Sequence, residues 1–237
     1  MALHFSKVPA TFVHIPRTGG TSLEIWTKNN NIDVKTSFVP NNYINNSHNI
    51  VLPTLHALKL KWGNLGTTFA FVRNPYDWLA SCYDYIGQQA TSRMEYLKTS
   101  NLENWKTEPY QRDNPMLSII DDTKLLKLHQ KGFDYWLNIL LESSEELYDQ
   151  TNSSSWHIID TFWSTKNQID WFDGQSLDII IKLEEIDNNF KKIQELFNCY
   201  ETLPVTNTTV STVTYNSDSK NIVRDIFSRD FKAFGYL

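Results

Sequence analysis

Cysteine is nearly absent. Two residues, Cys82 and Cys199, cannot build a disulfide framework, and their spacing matches no metal-ligand pattern, so both read as reduced core thiols. Also missing is any apolar run approaching the ~20 residues that a membrane-spanning helix needs. The opening stretch, "MALHFSKVPATFVHI", has neither a long apolar segment nor a small-residue cleavage site, so the expectation is a soluble, cytoplasmic chain with no stable membrane association. Without a secretory signal, the sequons at Asn45, Asn152 and Asn207 read as chance. Basic charge is in short supply too. A net charge of −5 and an isoelectric point near 5.7 argue against a non-specific grip on nucleic acid or an anionic surface, leaving open only a local basic pocket. The Walker pattern G-x-x-x-x-G-K-[ST] does not occur, which weighs against a nucleotide triphosphatase.

What is present suits one substantial core. The 237 residues, 41% of them hydrophobic, read as a single domain over 1–237 with a helical lobe at about 88–160. "TFVHI" (11–15) is β-rich and bounded by Pro16, which predicts a buried strand, and after "PRTGGTS" the stretch 21–28 predicts a helix with Leu23 and Trp26 on one side. The Asn-rich segment that follows predicts loop with one short strand. Thr54 as N-cap, Leu55, Leu58 and Trp62 at helical spacing and Gly63 as stop predict a short helix. "TTFAFVR" (67–73) is a second buried strand, followed by a helix capped by Asn74 with Pro75 at its first position.

Farther along, helical segments are expected around 117–129 and 133–148, with a Ser/Asn-rich break at "TNSSSW". "LDIIIKL" (177–183) is a third buried strand, leading into the helix "NFKKIQELFNCY". The final twenty residues predict one amphipathic helix capped by Asp218 or Ser219, with Ile222, Val223, Ile226 and Phe227 inward. Buried strands separated by helices predict an α/β fold around a parallel sheet flanked by helices.

The first strand-to-helix loop carries chemistry. Unpaired N–H groups at a helix start face outward with the positive end of the helix dipole, which makes such a turn a seat for an anion. Gly19 and Gly20 permit a tight wrap, Thr21 and Ser22 add hydroxyl donors, and Arg17 adds a permanent charge. A plain βα turn with a capped helix is the competing reading. Arg73 ends the second strand and Ser81 lies in the second turn of the next helix, so a second phosphate could be held there, since ligands of open α/β sheets collect at the carboxyl ends of strands.

"FVHIPRTGGTSLEIW" and "FAFVRNPYDWLASCY" together resemble the two nucleotide-binding segments of the sulfotransferases, in the branch of the carbohydrate sulfotransferases (Golgi-type, heparan-sulfate 2-O-like). The first is similar to that family's 5′-phosphosulfate loop, I-P-K-T-G-G-T-S, the second to its 3′-phosphate segment, R-N-P-Y-D-R-x-x-S-x-Y. Weaker echoes are "HALKL", "IIIKLEEI", "LPVTNTT" and "RDFKAFGY"; the lobe at 88–160, where acceptor selectivity would lie, is not covered. The resemblance implies a P-loop-like fold and transfer of a sulfonyl group from 3′-phosphoadenosine 5′-phosphosulfate (PAPS, leaving PAP) to an acceptor hydroxyl on a glycan or small molecule, with no metal.

By the same resemblance Thr18, Gly19, Gly20, Thr21 and Ser22 hold the 5′-phosphate, Arg17 stabilises the bridging oxygen as its bond breaks, Arg73 and Ser81 fix the 3′-phosphate, and His56 is the base for the acceptor proton. Arg17 departs from the family's lysine, keeping the charge but changing the geometry. Glu24 reads as a capping-box partner or alternative base. His14 reads as structural. Glu184 reads equally as an orienting group or a solvated carboxylate, Tyr76 and Trp163 as core rings or adenine stackers, and Lys59 and Lys61 as a solvated face. Two other functions compete: a P-loop kinase or hydrolase using Mg-ATP, and a catalytically silent nucleotide-binding module.

Overall fold

Ala10–Val13 (β2) is buried along its whole length, as its unbroken apolar and β-branched run requires, and Thr67–Val72 (β4) is buried at all but its first residue. In the computed structural model these strands lie side by side and parallel, Phe12 opposite Phe69, and β4 pairs in parallel with Ile179–Lys182 (β5), Val72 opposite Lys182. All three strands lie where the sequence expects them, but β5 is not a buried strand: it stands at the sheet edge, where only Ile181 is enclosed and Ile180 is exposed. The structure describes residues 2–37, 54–99, 129–142, 166–206 and 211–236.

The sheet is mixed rather than wholly parallel. Its five strands run in the order β3-β1-β2-β4-β5, with Ala2–Phe5 (β1) antiparallel to β2 on one side and to Val34–Ser37 (β3) on the other. The reason is connection length: residues 6–9 join β1 to β2, whereas a parallel neighbour needs a crossover of about a dozen residues or more.

The chain folds as two compact units. The first comprises Met1–Trp78, Asn167–Thr208 and Phe227–Leu237. It contains the sheet, with Gly20–Asn29 (α1) after β2, Leu55–Trp62 (α2) before β4, the start of Pro75–Thr99 (α3) after it, a 3-10 turn at Gln168–Phe172, two short helices after β5 and the closing helix near the chain end. Phe5, Phe12, Leu23, Trp26, Phe69, Phe71, Ile181, Phe190 and Ile193 form one buried cluster. Within it Trp26 meets Phe190 edge to face at 5.3 Å, and Phe12 lies tilted against Phe69 at 5.2 Å. A second cluster sets Trp78 against Trp171 and Phe227.

The second unit, Leu79–Lys166 with Thr209–Ile226, holds the remainder of α3 and Phe133–Glu142 (α4). Tyr83 stacks on His129 at 4.3 Å and donates its hydroxyl to the His129 carbonyl, while Asp84 accepts from the Thr212 hydroxyl. Much of the expected lobe, residues 100–128 and 143–165, lies outside the described residues, as do Trp163 and the three sequons.

Local signals hold at the starts of α2 and α3. Thr54 accepts from the Ala57 N–H, Asn74 from the Tyr76 N–H, and Pro75 opens α3. The segment after β5 is two short helices, Ile186–Asn189 (α5) and Lys191–Phe197 (α6). The expected single terminal helix is also two, Ser217–Ile226 (α7) and Ser228–Phe234 (α8), broken at buried Phe227. Its cap is neither Asp218 nor Ser219 but Asn216, whose side chain accepts from the Ser219 N–H at 2.8 Å. Among the described residues no helix is long and apolar enough to cross a membrane.

Candidate functional site

The carboxyl ends of β2, β4 and β5 lie on one edge of the sheet, because the three strands are parallel neighbours. β2 feeds the loop 14–19, β4 ends at Arg73 and Asn74, and β5 runs into Leu183 and Glu184. All of these residues belong to the first unit.

The loop is built around backbone conformations that side chains disfavour. Gly19 has φ 96° and precedes the first residue of α1, and a Cβ there would press on Leu183 at 3.0 Å. Gly20 meets the ring of His14, and a Cβ there would overlap Nε2. Arg17 takes φ 64° without being glycine, a conformation that costs about 1 kcal/mol or more. The Thr18 hydroxyl donates to the Ile15 carbonyl at 2.8 Å and is buried, so it braces the turn. Ser22 is buried with its hydroxyl 2.9 Å from that of Thr206, whereas Thr21 is exposed. The Trp78 indole donates to the Pro16 carbonyl, tying the loop to the first turn of α3.

His14 follows β2 and is only partly buried by area, yet its Nδ1 is wholly enclosed and has no partner among the described residues. Enclosure decides its ionisation: desolvation pulls its pKa down to about 3, so the ring is neutral. Glu24 forms no capping box, since the N-cap of α1 is Gly19 and no side chain caps it; burial raises the Glu24 carboxyl above its ordinary value.

Arg73 is brought to Arg17. Its Nη1 lies 3.5 Å from the Arg17 carbonyl oxygen, so the second turn reaches directly across to the first. The Asn74 N–H donates to Glu184 Oε1 at 2.6 Å and Tyr236 donates its hydroxyl to Oε2 at 2.9 Å, which makes Glu184 an orienting group despite its exposure. Burial, then the Glu184 charge, raises the Tyr236 phenol, which stays a donor. Tyr76 packs edge-on against Phe231.

One expected residue is tied to a different turn. His56 is exposed on α2 and its N–H donates to Asp173 Oδ2; the described contacts tie that helix to the turn at 173–175, where Lys59 also bonds Gln175, rather than to the loop. Ser81 is buried on α3 within the second unit. Among the described residues no cluster of three His, Cys, Asp or Glu side chains is arranged to hold a metal.

Sequence reasoning missed Gln168, Asp230 and Tyr236. Gln168 grips Arg73 through both its N–H and its carbonyl, and Asp230 grips Gln168. Asp230 and Tyr236 lie within the echo "RDFKAFGY", which is the signal that could have found them; nothing marks Gln168. Comparison with protein-family models, curated proteins and solved structures finds no match.

Proposed function

We propose that the chain is a sulfotransferase with a P-loop-like donor site, moving a sulfonyl group from 3′-phosphoadenosine 5′-phosphosulfate to an acceptor hydroxyl, with a carbohydrate as the favoured acceptor. The observation that carries this reading is the approach of Arg73 Nη1 to the Arg17 carbonyl at 3.5 Å. Two guanidinium-bearing turns on one sheet edge suit a ligand with two separated phosphates, and an ATP site would call for a Walker lysine instead.

In this reading the N–H groups from Thr18 to Ser22 hold the 5′-phosphate at the start of α1, and Arg17 meets the charge that grows on the bridging oxygen as the S–O bond breaks. Attacking and leaving oxygens must be in line, which the loop secures by immobilising the donor. Arg73 takes the 3′-phosphate. His56 takes the acceptor proton, and Glu24, whose carboxyl burial raises above its ordinary value, is the next candidate.

Thermal-shift titration tests the donor: stabilisation by adenosine 3′,5′-bisphosphate without metal supports the reading, and stabilisation by Mg-ATP alone replaces it with a kinase or hydrolase. Transfer of labelled sulfonyl groups to a panel of glycans, phenols and peptides tests the reaction, and donor binding without transfer to any of them would leave a silent module. Full turnover by His56→Ala at neutral pH moves the base to Glu24.

A further inference from the structure

Arg73 stands where β4 leaves the sheet, one residue beyond the last β4–β5 pair, Val72 opposite Lys182. Its backbone therefore has no strand neighbour. The side-chain amide of Gln168 takes that place: Oε1 accepts the Arg73 N–H at 2.9 Å and Nε2 donates to the Arg73 carbonyl at 2.7 Å. One buried amide thus supplies both halves of a ladder pair, and it pins the backbone from which the guanidinium projects.

Gln168 is itself clamped. Its own N–H donates to Asp230 Oδ2 at 2.7 Å, the Ile169 N–H donates to Oδ1 at 3.0 Å, and the Asp230 N–H returns a bond to Asn167 Oδ1. Gln168 and Asp230 are both 0% exposed. A buried carboxylate is costly to keep unless its oxygens are matched, and here both are spent on the N-terminus of the 3-10 turn that carries Gln168. An apolar side chain at 168 would leave the Arg73 N–H and carbonyl without these partners, so it is the clamp that fixes the backbone from which the guanidinium projects.

We infer that Gln168 and Asp230 are positioning residues that aim Arg73 at a phosphate on the ligand, and so set the preference for a nucleotide bearing a 3′-phosphate. The inference rests on the donor site proposed above. Neither residue touches the ligand; their effect passes wholly through Arg73.

Calorimetric titration of adenosine 3′,5′-bisphosphate and of adenosine 5′-monophosphate tests it, using wild type, Gln168→Ala, Arg73→Ala and the double variant. Gln168→Ala is expected to weaken the bisphosphate roughly tenfold, to leave the monophosphate within about twofold, and to add nothing in the Arg73→Ala background. Equal weakening of both nucleotides, or the same loss with Arg73 already removed, overturns the inference and makes the clamp a general brace. If wild type itself does not prefer the bisphosphate, the donor reading falls and the inference with it; if wild type and Arg73→Ala behave as expected while Gln168→Ala keeps the preference, the inference alone falls. Should Gln168→Ala fail to fold, Asp230→Asn, which keeps the shape and one acceptor, is held to the same outcomes.

Discussion

The indole N–H of Trp78 donates to the carbonyl oxygen of Pro16 at 2.7 Å, so the first turn of α3 fastens the loop that opens α1. Trp78 stands where the segment it resembles has a second arginine, and it is fully buried against Trp171 and Phe227. This position carries packing and one directed bond rather than charge.

Trp78→Phe keeps an aromatic ring against those neighbours but leaves the Pro16 oxygen unmet and a small void. The expected cost is about 2 kcal/mol in urea unfolding, with an unchanged m-value. A loss below about 0.5 kcal/mol would mean that the bond does not hold the loop.

Gly20→Ala ought to help a helix start, since alanine is the better helix former by about 1 kcal/mol. The His14 ring reverses the sign. With the added Cβ overlapping Nε2, the variant is expected to lose about 2 kcal/mol, and the same change in a His14→Ala background to cost less than about 0.5 kcal/mol. Equal costs in the two backgrounds would put the obstacle elsewhere.

At Arg17 backbone and side chain can be separated. Glycine accepts φ 64° freely and alanine does not, so Arg17→Gly is expected to be about 1 kcal/mol more stable than Arg17→Ala, although both lack the charge. On the proposed function both lose sulfonyl transfer by roughly 10² or more, and Arg17→Lys recovers part of it. Stability assays and turnover would then rank the variants differently.

Asp230 makes stability depend on pH. Burial is the largest cause raising its carboxyl, with Asp170 adding repulsion, and its folded pKa is about 6 against an ordinary 3.8. The folded state thus holds the proton more tightly than the unfolded chain, so this group's contribution falls as pH rises from about 4 to about 6 and is level above that, a total of about 3 kcal/mol. Asp230→Asn removes the slope. Unfolding measured at intervals across that range should show the variant gaining on wild type as pH rises, then a constant difference; parallel curves throughout would show that Asp230 does not titrate there.

The parallel half of the sheet was legible because a strand buried on both faces must be apolar at nearly every position, as "ATFV" and "TFAFV" are. The antiparallel strands were not. "ALHF" is too short to stand out, and at the sheet edge Val34 is half-buried while Lys35 and Thr36 are exposed, which gives no core pattern. The break at Phe227 escaped for a related reason: its sequence continues the helical period, and only burial of the ring at the bend reveals the stop.

Arg17, Gly19, Gly20 and Arg73 could be named from their loops, since chain-local geometry puts them at strand ends. Their supports could not. Gln168 and Arg73 are 95 residues apart, and Glu184 and Asn74 are 110 apart, distances at which no periodicity or capping rule links one side chain to another.

By itself the amino-acid order determined which three segments form the parallel strands, where α2 and α3 start, and that a small-residue turn bearing a guanidinium follows the first parallel strand. These depend on hydrophobic period and on the φ preferences of single residues, both readable along the chain. Only the tertiary structure decided that His14 excludes a side chain from Gly20, that Trp78 fastens Pro16, and that Asp230 and Gln168 hold Arg73. Such contacts follow from how the elements pack, and short-range hydrogen bonds form only once packing has brought distant groups within about 3 Å.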